Sequence, residues 1–256
     1  MGPVAGAGAS KVFFFDASNN DIFKTTPSLQ MDGGVMASMA IHKNFVLNAE
    51  LLYSYRSKHV RGLADKQYKF DSDMRYLELP IFYVLEFKKS KGDPTGRGGR
   101  TKTYNWFIGG GPTISYWLSY KSSLRSSNLI ENYIDKVDYK AVFGPDPDNS
   151  GTTPDINSTT EYIPNSNRFQ FAINITGGVA FEPVGLHKIV TFAQLNIAQT
   201  FFGKTDVSLP SDEVDIMRAK SHSFKISVAY LFDTKIETSK KGKSTKGKVG
   251  QKKRRR

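Results

Sequence analysis

The stretch Asp73–Phe87, DMRYLELPIFYVLEF, decides the fold of this chain. Successive side chains of a β-strand point to opposite faces, so its alternate residues form two sets. One set is apolar throughout: Leu77, Leu79, Ile81, Tyr83, Leu85 and Phe87. The other set is mixed: Tyr76, Glu78, Pro80, Phe82, Val84 and Glu86. A strand about twice the usual length, apolar on one face only, is typical of a barrel wall in lipid.

Seven further segments alternate in the same way, so the sequence predicts eight strands. They lie near Val4–Phe14, Leu29–Ile41, Phe45–Ser57, Asp73–Phe87, Thr103–Lys121, Arg168–Glu182, Ile189–Phe202 and Ser221–Asp233. The links after odd-numbered strands are long and polar, namely Asp16–Ser28, Lys58–Ser72, Ser122–Asn167 and Gly203–Lys220. The links after even-numbered strands are short, with Lys88–Lys102 the longest. Outer-membrane barrels have long extracellular loops and short periplasmic turns.

The predicted fold class is therefore all-β: an eight-stranded, antiparallel, up-and-down transmembrane β-barrel with both chain ends in the periplasm. The alternative is a soluble β-sandwich or lipocalin-like barrel, whose outward faces should be polar. A transmembrane helix over Thr103–Tyr120 is rejected, because Gly109-Gly110-Gly111-Pro112 would occupy its centre. Gly2–Phe15 reads as a strand and not as a signal peptide, so we expect the sequence to begin at a mature N-terminus.

Aromatic residues fall at both ends of the predicted strands, where the two membrane interfaces should lie. Those expected near the short turns are Phe45, Phe87, Trp106, Phe181 and Phe232. Those expected near the long loops are Tyr53, Tyr55, Tyr116, Tyr120, Phe201 and Phe202.

The net charge of +12 comes from two segments and not from the barrel. Residues 234–256 hold 11 Lys/Arg and one Glu, and Lys88–Lys102 holds six Lys/Arg and one Asp. The domain prediction is a barrel over residues 1–233 and a basic periplasmic tail over residues 234–256, disordered in isolation. Cysteine is absent, which excludes disulfides, thiolate metal sites and cysteine nucleophiles.

Four segments resemble a known family: NAELLYS (Asn48–Ser54), MRYLELPIFY (Met74–Tyr83), FIGGGPTIS (Phe107–Ser115) and FKISVAYLF (Phe224–Phe232). They are similar to the eight-stranded, PorT-like outer-membrane β-barrels of Bacteroidota, over roughly Val4–Asp233. The resemblance implies a bacterial outer-membrane location. It also implies a possible place in the type IX secretion or gliding-motility apparatus, to which PorT and PorG belong. The family shares no catalytic residues, and the tail after Asp233 departs from its common pattern.

The inward face of the predicted strands carries a charge network. Its members are Asp32, Glu50, Arg56, Glu78, Glu86 and Lys225, joined by Gln194 and Asn196. An eight-stranded barrel is only wide enough for side chains to fill it, so we expect these residues to form a charge-paired plug. Glu50 and Glu78 as an acid and base are the weaker interpretation, because no nucleophile is assigned beside them.

No catalytic residue, metal ligand or cofactor site is predicted. A lipid-modifying enzyme would need His, Ser and an acid at the outer rim. His42 and His187 are expected in periplasmic turns and His59 in a loop, and His222 lies on the opposite face from Ser221 and Ser223. The segment starting at Asp146-Pro147-Asp148 opens like a calcium loop, but Asn157 stands where a bidentate Glu is expected, so turn chemistry explains it better.

The predicted role is structural: an anchor in the outer membrane, in contact with lipid, that holds a periplasmic protein or peptidoglycan through basic residues, with no role in nucleic-acid binding. The predicted partner-binding residues are Lys88, Lys89, Lys91, Arg97, Arg100, Lys102, Lys240, Lys241, Lys243, Lys252, Lys253, Arg254, Arg255 and Arg256. A lipid-modifying enzyme and a passive small-solute channel are the alternatives.

Overall fold

The structure, a computed structural model, describes residues 1–14, 22–42, 44–63, 65–90, 103–131, 135–144, 160–163, 166–182, 187–203 and 219–232. The strands within these residues are β1 (Gly2–Phe14), β2 (Phe23–Thr26), β3 (Ser28–Ala40), β4 (Phe45–Gly62), β5 (Lys69–Ser90), β6 (Thr103–Arg125), β7 (Val137–Phe143), β8 (Thr160–Ile163), β9 (Phe169–Glu182), β10 (His187–Ala198) and β11 (Ala219–Phe232). The short helix α1 spans Ser127–Glu131. No helix among the described residues is long and apolar enough to span a bilayer.

Eight of these strands close into a ring. In the order β1, β3, β4, β5, β6, β9, β10 and β11, each strand pairs antiparallel with the next. β11 then pairs with β1, from Val4 opposite Ala229 to Phe14 opposite Ala219. Closure leaves these strands without free edges. The predicted all-β, eight-stranded barrel is confirmed.

The barrel has two unlike rims. The lower rim holds both ends of the described chain, where the Met1 amino group donates to the Phe232 carbonyl at 2.9 Å. The upper rim holds Phe14 and Ala219. It also carries the strands outside the ring: β2 on β4, β7 on β6, and β8 parallel to β7. The sequence predicts that the lower rim is periplasmic and the upper rim extracellular.

The predicted loop Lys58–Ser72 is wrong, because most of it is strand. β4 continues to Gly62 and β5 begins at Lys69. Val60 and Phe70 face the interior here, while Arg61 and Lys69 face outward. Above the membrane an outward residue meets water, so the alternation becomes that of a soluble sheet and the apolar outer face disappears.

A β-bulge in β6 reverses its inner and outer faces near the upper rim. The pairing shifts between Arg75, opposite Ser119, and Tyr76, opposite Trp117, so Leu118 is the extra residue. Below the bulge Trp117 faces inward, and above it Tyr120 does, each almost fully buried. The expected outward position of Tyr120 is therefore wrong. A pattern of strict alternation cannot anticipate an inserted residue.

The outward face of the ring is apolar between its rims, with side chains such as Ile108, Ile173 and Ile226 about half exposed. Near the lower rim the rings of Phe87 and Trp106 stack with their centroids 4.0 Å apart, and those of Tyr104 and Phe181 stack with their centroids 4.9 Å apart. Near the upper rim Tyr116 packs on Phe169 at 4.8 Å. Two aromatic girdles flank the apolar band, as lipid-spanning barrels require.

The interior is filled in three layers. The lower apolar layer consists of Val4, Met36, Val46, Leu52, Phe82, Val84, Phe107, Ala180, Val190, Phe192, Ala229 and Leu231. The upper aromatic layer consists of Val12, Phe14, Val60, Phe70, Met74, Tyr76, Trp117, Tyr120, Phe202 and Ala219. Phe202 was expected on the outer girdle but is buried here, so that expectation is wrong. The polar layer lies between them and holds the charged residues described next.

Candidate functional site

Asp32 and Lys225 form the first ion pair of the polar layer, with Oδ2 and Nζ 3.0 Å apart. Both side chains are fully buried. β1 lies between their strands, and its Gly6 leaves room for the pair: a Cβ at that position would stand 2.7 Å from Asp32 Oδ1. The small residues of β1 therefore allow a carboxylate from β3 and an ammonium from β11 to meet inside the barrel.

Arg56 and Glu78 form the second pair, and Arg56 Nη2 donates to Glu78 Oε1. The Arg56 guanidinium also lies over the Tyr76 ring, 5.0 Å from its centroid. This pair thus joins the polar layer to the upper aromatic layer. Buried charges need such partners, because each charge loses its hydration inside the barrel.

Glu50 is the third carboxylate of the polar layer and is almost fully buried. It accepts a hydrogen bond from Gln194 Nε2 at 3.5 Å, a long and weak contact. No basic side chain among the described residues lies within 4.0 Å of it. Glu50 is therefore the carboxylate of this layer that lacks a direct cationic partner there.

Glu86 lies lower, at the mouth of the barrel. Lys188 Nζ stands 2.7 Å from Glu86 Oε1 and 3.8 Å from Glu182 Oε1. A cavity of about 10 Å³ beside this pair has room for about one water molecule. The structure thus places all six members of the sequence-predicted network inside, but Glu86 stands apart from the other five.

Several interior polar residues lie outside the predicted charge network. Gln30 and Asn174 are fully buried in the polar layer, and their amide atoms have no hydrogen-bond partner among the described residues. Lys188 precedes the predicted strand Ile189–Phe202, although it shares the inward face of β10 with Val190 and Gln194. Lys58 was assigned to a loop, yet it is buried in β4 with its ammonium over the Phe202 ring at 5.4 Å. Gln30 and Asn174 have the inward parity within their predicted strands, and extending the period-2 count beyond the predicted strand ends places Lys58 and Lys188 on the same face.

The interior arrangement is that of a plug. Charged groups occupy its middle, and bulky apolar side chains close it above and below. An ion that moved through the barrel would have to cross both the lower apolar layer and the upper aromatic layer, and the loss of its hydration there is costly.

The histidines do not assemble with a serine nucleophile within the described residues. His222 lies on the outer face of β11, where its Nδ1 accepts a hydrogen bond from the Ala198 backbone N–H at 3.0 Å. Ser221 and Ser223 are buried on the inner face. His59 was expected in a loop but lies in β4, where its Nδ1 is 2.6 Å from Asp71 Oδ1. Arg61 holds the same oxygen at 2.7 Å, so His59 and Asp71 belong to a charge cluster.

A polar cleft of about 350 Å³ opens beside that cluster at the upper rim. Its charged lining residues are Asp71, Asp73, Lys121, Lys136 and Asp138. Lys136 is paired with Asp138 at 2.8 Å, and Asp73 accepts a hydrogen bond from Tyr55 at 2.5 Å. The lining carries charges of both signs, three Asp and two Lys, and within the described residues no group of three metal-ligating side chains occurs.

Asp65 links two segments of the upper rim outside the membrane by hydrogen bonds. Its carboxylate accepts hydrogen bonds from the Ser127 hydroxyl at 2.7 Å and the Ser127 backbone N–H at 3.1 Å. These bonds, with a further one from the Gln67 N–H, lower the pKa of Asp65. The turn between β4 and β5 is thereby tied to the start of α1.

Most of the predicted basic partner-binding residues lie outside the described residues, as does the calcium-like segment at Asp146. Lys88 and Lys89 are the exceptions and belong to the backbone of β5, opposite Asn105 and Tyr104. The flanking strands nevertheless fix where the segments begin. Ser90 pairs with Thr103, and Phe232 pairs with His187, so both basic segments leave the barrel at the lower rim.

Comparison with known proteins gives one family. The model described as "Outer membrane protein beta-barrel domain" matches residues 2–201. Two solved structures of Ail, the attachment invasion locus protein of Yersinia pestis, are similar at 9% identity, one of them in complex with the heparin analogue sucrose octasulfate. They cover 90% of this chain and 95% and 96% of their own, with TM-scores of 0.31 and 0.30. No curated protein matches the chain.

Proposed function

The chain belongs to the outer membrane protein beta-barrel domain family, and we propose that it is a structural anchor that holds a partner on the periplasmic side. It is an outer-membrane β-barrel protein, so the barrel fixes its position in the bilayer. The proposal concerns what the barrel is for, and it rests chiefly on the filled interior.

The packed interior favours anchoring over transport. Phe82, Phe192 and Trp117 are almost fully buried and belong to the layers that close the barrel on either side of the charges. We therefore expect no swelling when liposomes containing the protein are placed in a small sugar. Swelling at the rate given by a porin would favour the channel alternative.

The partner is proposed to bind the basic segments. The strands that flank Lys88–Lys102 and the strand that precedes the tail all end at the lower rim, which supports a single binding surface on that side of the membrane. Acidic protein faces and the carboxylates of peptidoglycan are the matching surfaces in the periplasm. Attraction between exposed charges extends over about a Debye length, ~8 Å at physiological salt, so such binding should weaken as salt rises.

A secretion or gliding-motility assembly is the partner that the resemblance suggests. The resemblance to PorT-like barrels of Bacteroidota, some of which serve type IX secretion, supports this finer proposal by analogy alone. The proposal assigns the protein no enzymatic reaction. Incubation with lipid A followed by mass spectrometry tests this, and a change in lipid mass that depends on the protein would favour the enzyme alternative.

Affinity purification with and without the tail tests the anchoring role. Deleting Lys240–Arg256 removes residues beyond the last strand, so the barrel should fold unchanged. The periplasmic partner should then co-purify less, and the difference should be largest at low salt. A control on the opposite side of the membrane replaces Lys69 and Lys121 at the upper rim with Gln and should retain the partner. Full retention by the truncated protein at every salt concentration would remove the tail from the proposal.

A further inference from the structure

A pair of lysines lies on the outer face of the barrel at its upper rim, where β1 meets β11. Lys11 is opposite His222, and Phe13 is opposite Lys220, so the two lysines are diagonal neighbours on adjacent strands. Such neighbours stand about 7–8 Å apart at their Cα atoms. Two flexible ammonium groups at this spacing can approach one small anion from both sides.

Aromatic rings hold these cations at the surface. Lys11 Nζ lies 5.2 Å from the centroid of Phe13, and Lys220 Nζ lies 4.7 Å from that of Phe201. Phe13 also packs on the His222 ring at 4.9 Å. The lysine charges are therefore kept beside the apolar band and do not extend freely into water.

His222 adds a donor on the same outer face, opposite Lys11 and two residues from Lys220. Its Nδ1 accepts the hydrogen bond from the Ala198 N–H, so the neutral ring carries its proton on Nε2. The hydrogen bond also fixes the ring in place. The cluster of Lys11, His222 and Lys220, called the rim cation site below, thus offers three donors and no acceptor.

The rim cation site has no carboxylate of its own among the described residues. Neither Lys11 nor Lys220 forms an ion pair there. The other side of the same rim differs, because Lys121 lies opposite Asp73 and lines a cleft that also holds Asp71 and Asp138. Within the described residues, the sector at β1 and β11 thus holds two lysines without a carboxylate partner, whereas the sector at β5 and β6 holds both lysines and aspartates.

Apolar side chains continue directly below the site. The exposed ones on β11, β10 and β3 are Phe224, Ile226, Leu195, Leu29 and Met31. This sector therefore has positive charge at the rim and an apolar surface below it. A molecule that matches both features has an anionic head and acyl chains.

We propose that the rim cation site binds a phosphate group of an outer-leaflet lipid, whose acyl chains pack on the apolar side chains below. Phosphate accepts charge-assisted hydrogen bonds from lysine, and these are stronger than bonds between neutral groups. The inference concerns the opposite rim from the periplasmic partner and does not rest on it.

Equilibrium binding of bis-phosphorylated lipid A to the full chain in uncharged maltoside micelles tests the proposal. The variant Lys11→Gln/Lys220→Gln should bind this lipid about tenfold more weakly or worse, since it lacks both ammonium groups that donate charge-assisted hydrogen bonds to the phosphate. The charge-matched control Lys69→Gln/Lys121→Gln should stay within about twofold, because neither lysine belongs to the rim cation site. Lys11→Arg/Lys220→Arg should retain binding.

Two further probes separate the lipid from its parts. Fully dephosphorylated lipid A should bind wild type as weakly as it binds the Lys11→Gln/Lys220→Gln variant, and inorganic phosphate should not displace the phosphorylated lipid. Unchanged heat-modified gel mobility confirms that each variant is folded. Three results would overturn the proposal. They are equal binding of phosphorylated and dephosphorylated lipid, equal loss of binding in both charge-matched variants, and displacement of the lipid by inorganic phosphate at a concentration equal to that of the lipid.

Discussion

At the scale of single residues, the ion pair between Asp32 and Lys225 can be tested directly by substitution. Both side chains are fully buried. The variant Lys225→Met leaves the Asp32 carboxylate buried without its cation. We expect it to lower the free energy of unfolding by ~3–5 kcal/mol, whereas an apolar replacement of both partners is often neutral. Urea unfolding in micelles of the single variant and of Asp32→Leu/Lys225→Met measures this. If the single variant is as stable as wild type, the ion pair does not form.

Asp65 gives a prediction on pH. Its pKa is lower in the folded protein than in the unfolded chain because Ser127 and Gln67 donate hydrogen bonds to the carboxylate. The carboxylate therefore stabilises the folded state at pH values above its unfolded pKa of about 3.9, and this contribution is lost as the pH falls through the folded pKa. The Ser127 amide shift in NMR should titrate below pH ~3.9, and Asp65→Ala should abolish the titration. A Ser127 shift that is constant on acidification would contradict the contact.

The inward positions of Glu50, Glu78 and Lys225 follow from residue parity alone, and the structure places all three inside. Their partners do not follow from it. Glu50 meets Gln194, which is 144 residues away along the chain. Such a contact depends on how far each strand slides along its neighbour around the ring, and a single sequence gives no measure of that stagger.

At the scale of elements, the outer face of β5 is predicted to meet lipid at Ile81, which lies opposite Ala49. Ile81→Arg should cost ~2–4 kcal/mol, as for a cation near the bilayer midplane. Leu29→Arg is the control, because Leu29 lies near the upper end of the apolar band and should cost only ~0–1 kcal/mol. Equilibrium folding into lipid vesicles compares the two. Equal folding of Ile81→Arg and wild type would mean that this face does not contact lipid.

The bulge in β6 allows a deletion test. Removing Leu118 eliminates the extra residue, so Trp117 and Tyr120 both stay inward and the barrel should still fold. Removing Ile114 instead moves the residues between it and the bulge by one position, which turns Trp117 outward. Heat-modified gel mobility should show a folded Leu118 deletion and a misfolded Ile114 deletion. The reverse outcome would place the bulge elsewhere.

The elements that the sequence mispredicted share one physical cause. The pattern that predicts a strand is an apolar outer face, which exists only where the strand crosses lipid. β4 and β5 continue above that level with Arg61 and Lys69 outward and Val60 and Phe70 inward, so they resemble a polar loop. The mid-membrane strands were predictable because lipid imposes one pattern on all of them. The strand ends at the upper rim were not predictable from this pattern, because outward residues meet water there and are polar.

At the scale of the whole molecule, the barrel's orientation decides which surface meets which partner. Surface protease on intact cells should cut within Ser122–Asn167 and spare Lys88–Lys102, because the two segments belong to opposite rims. Fragment mass spectrometry identifies the cleaved bonds. Cleavage confined to Lys88–Lys102 would invert the molecule, and it would exchange the membrane sides of the rim cation site and the basic segments.

Closure of the ring is the central claim, and the absence of cysteine makes it directly measurable. Ala5 of β1 lies opposite Val228 of β11, and Thr191 of β10 lies opposite the same Val228. Two double-cysteine variants, Ala5→Cys/Val228→Cys and Thr191→Cys/Val228→Cys, should therefore both form disulfides under mild oxidation in the membrane. Non-reducing gel mobility reports each bond, and Ala5→Cys/Val179→Cys, on strands that do not pair, should form none. If the β10–β11 pair oxidises while the β1–β11 pair does not, the sheet is open and the closed-barrel account is wrong.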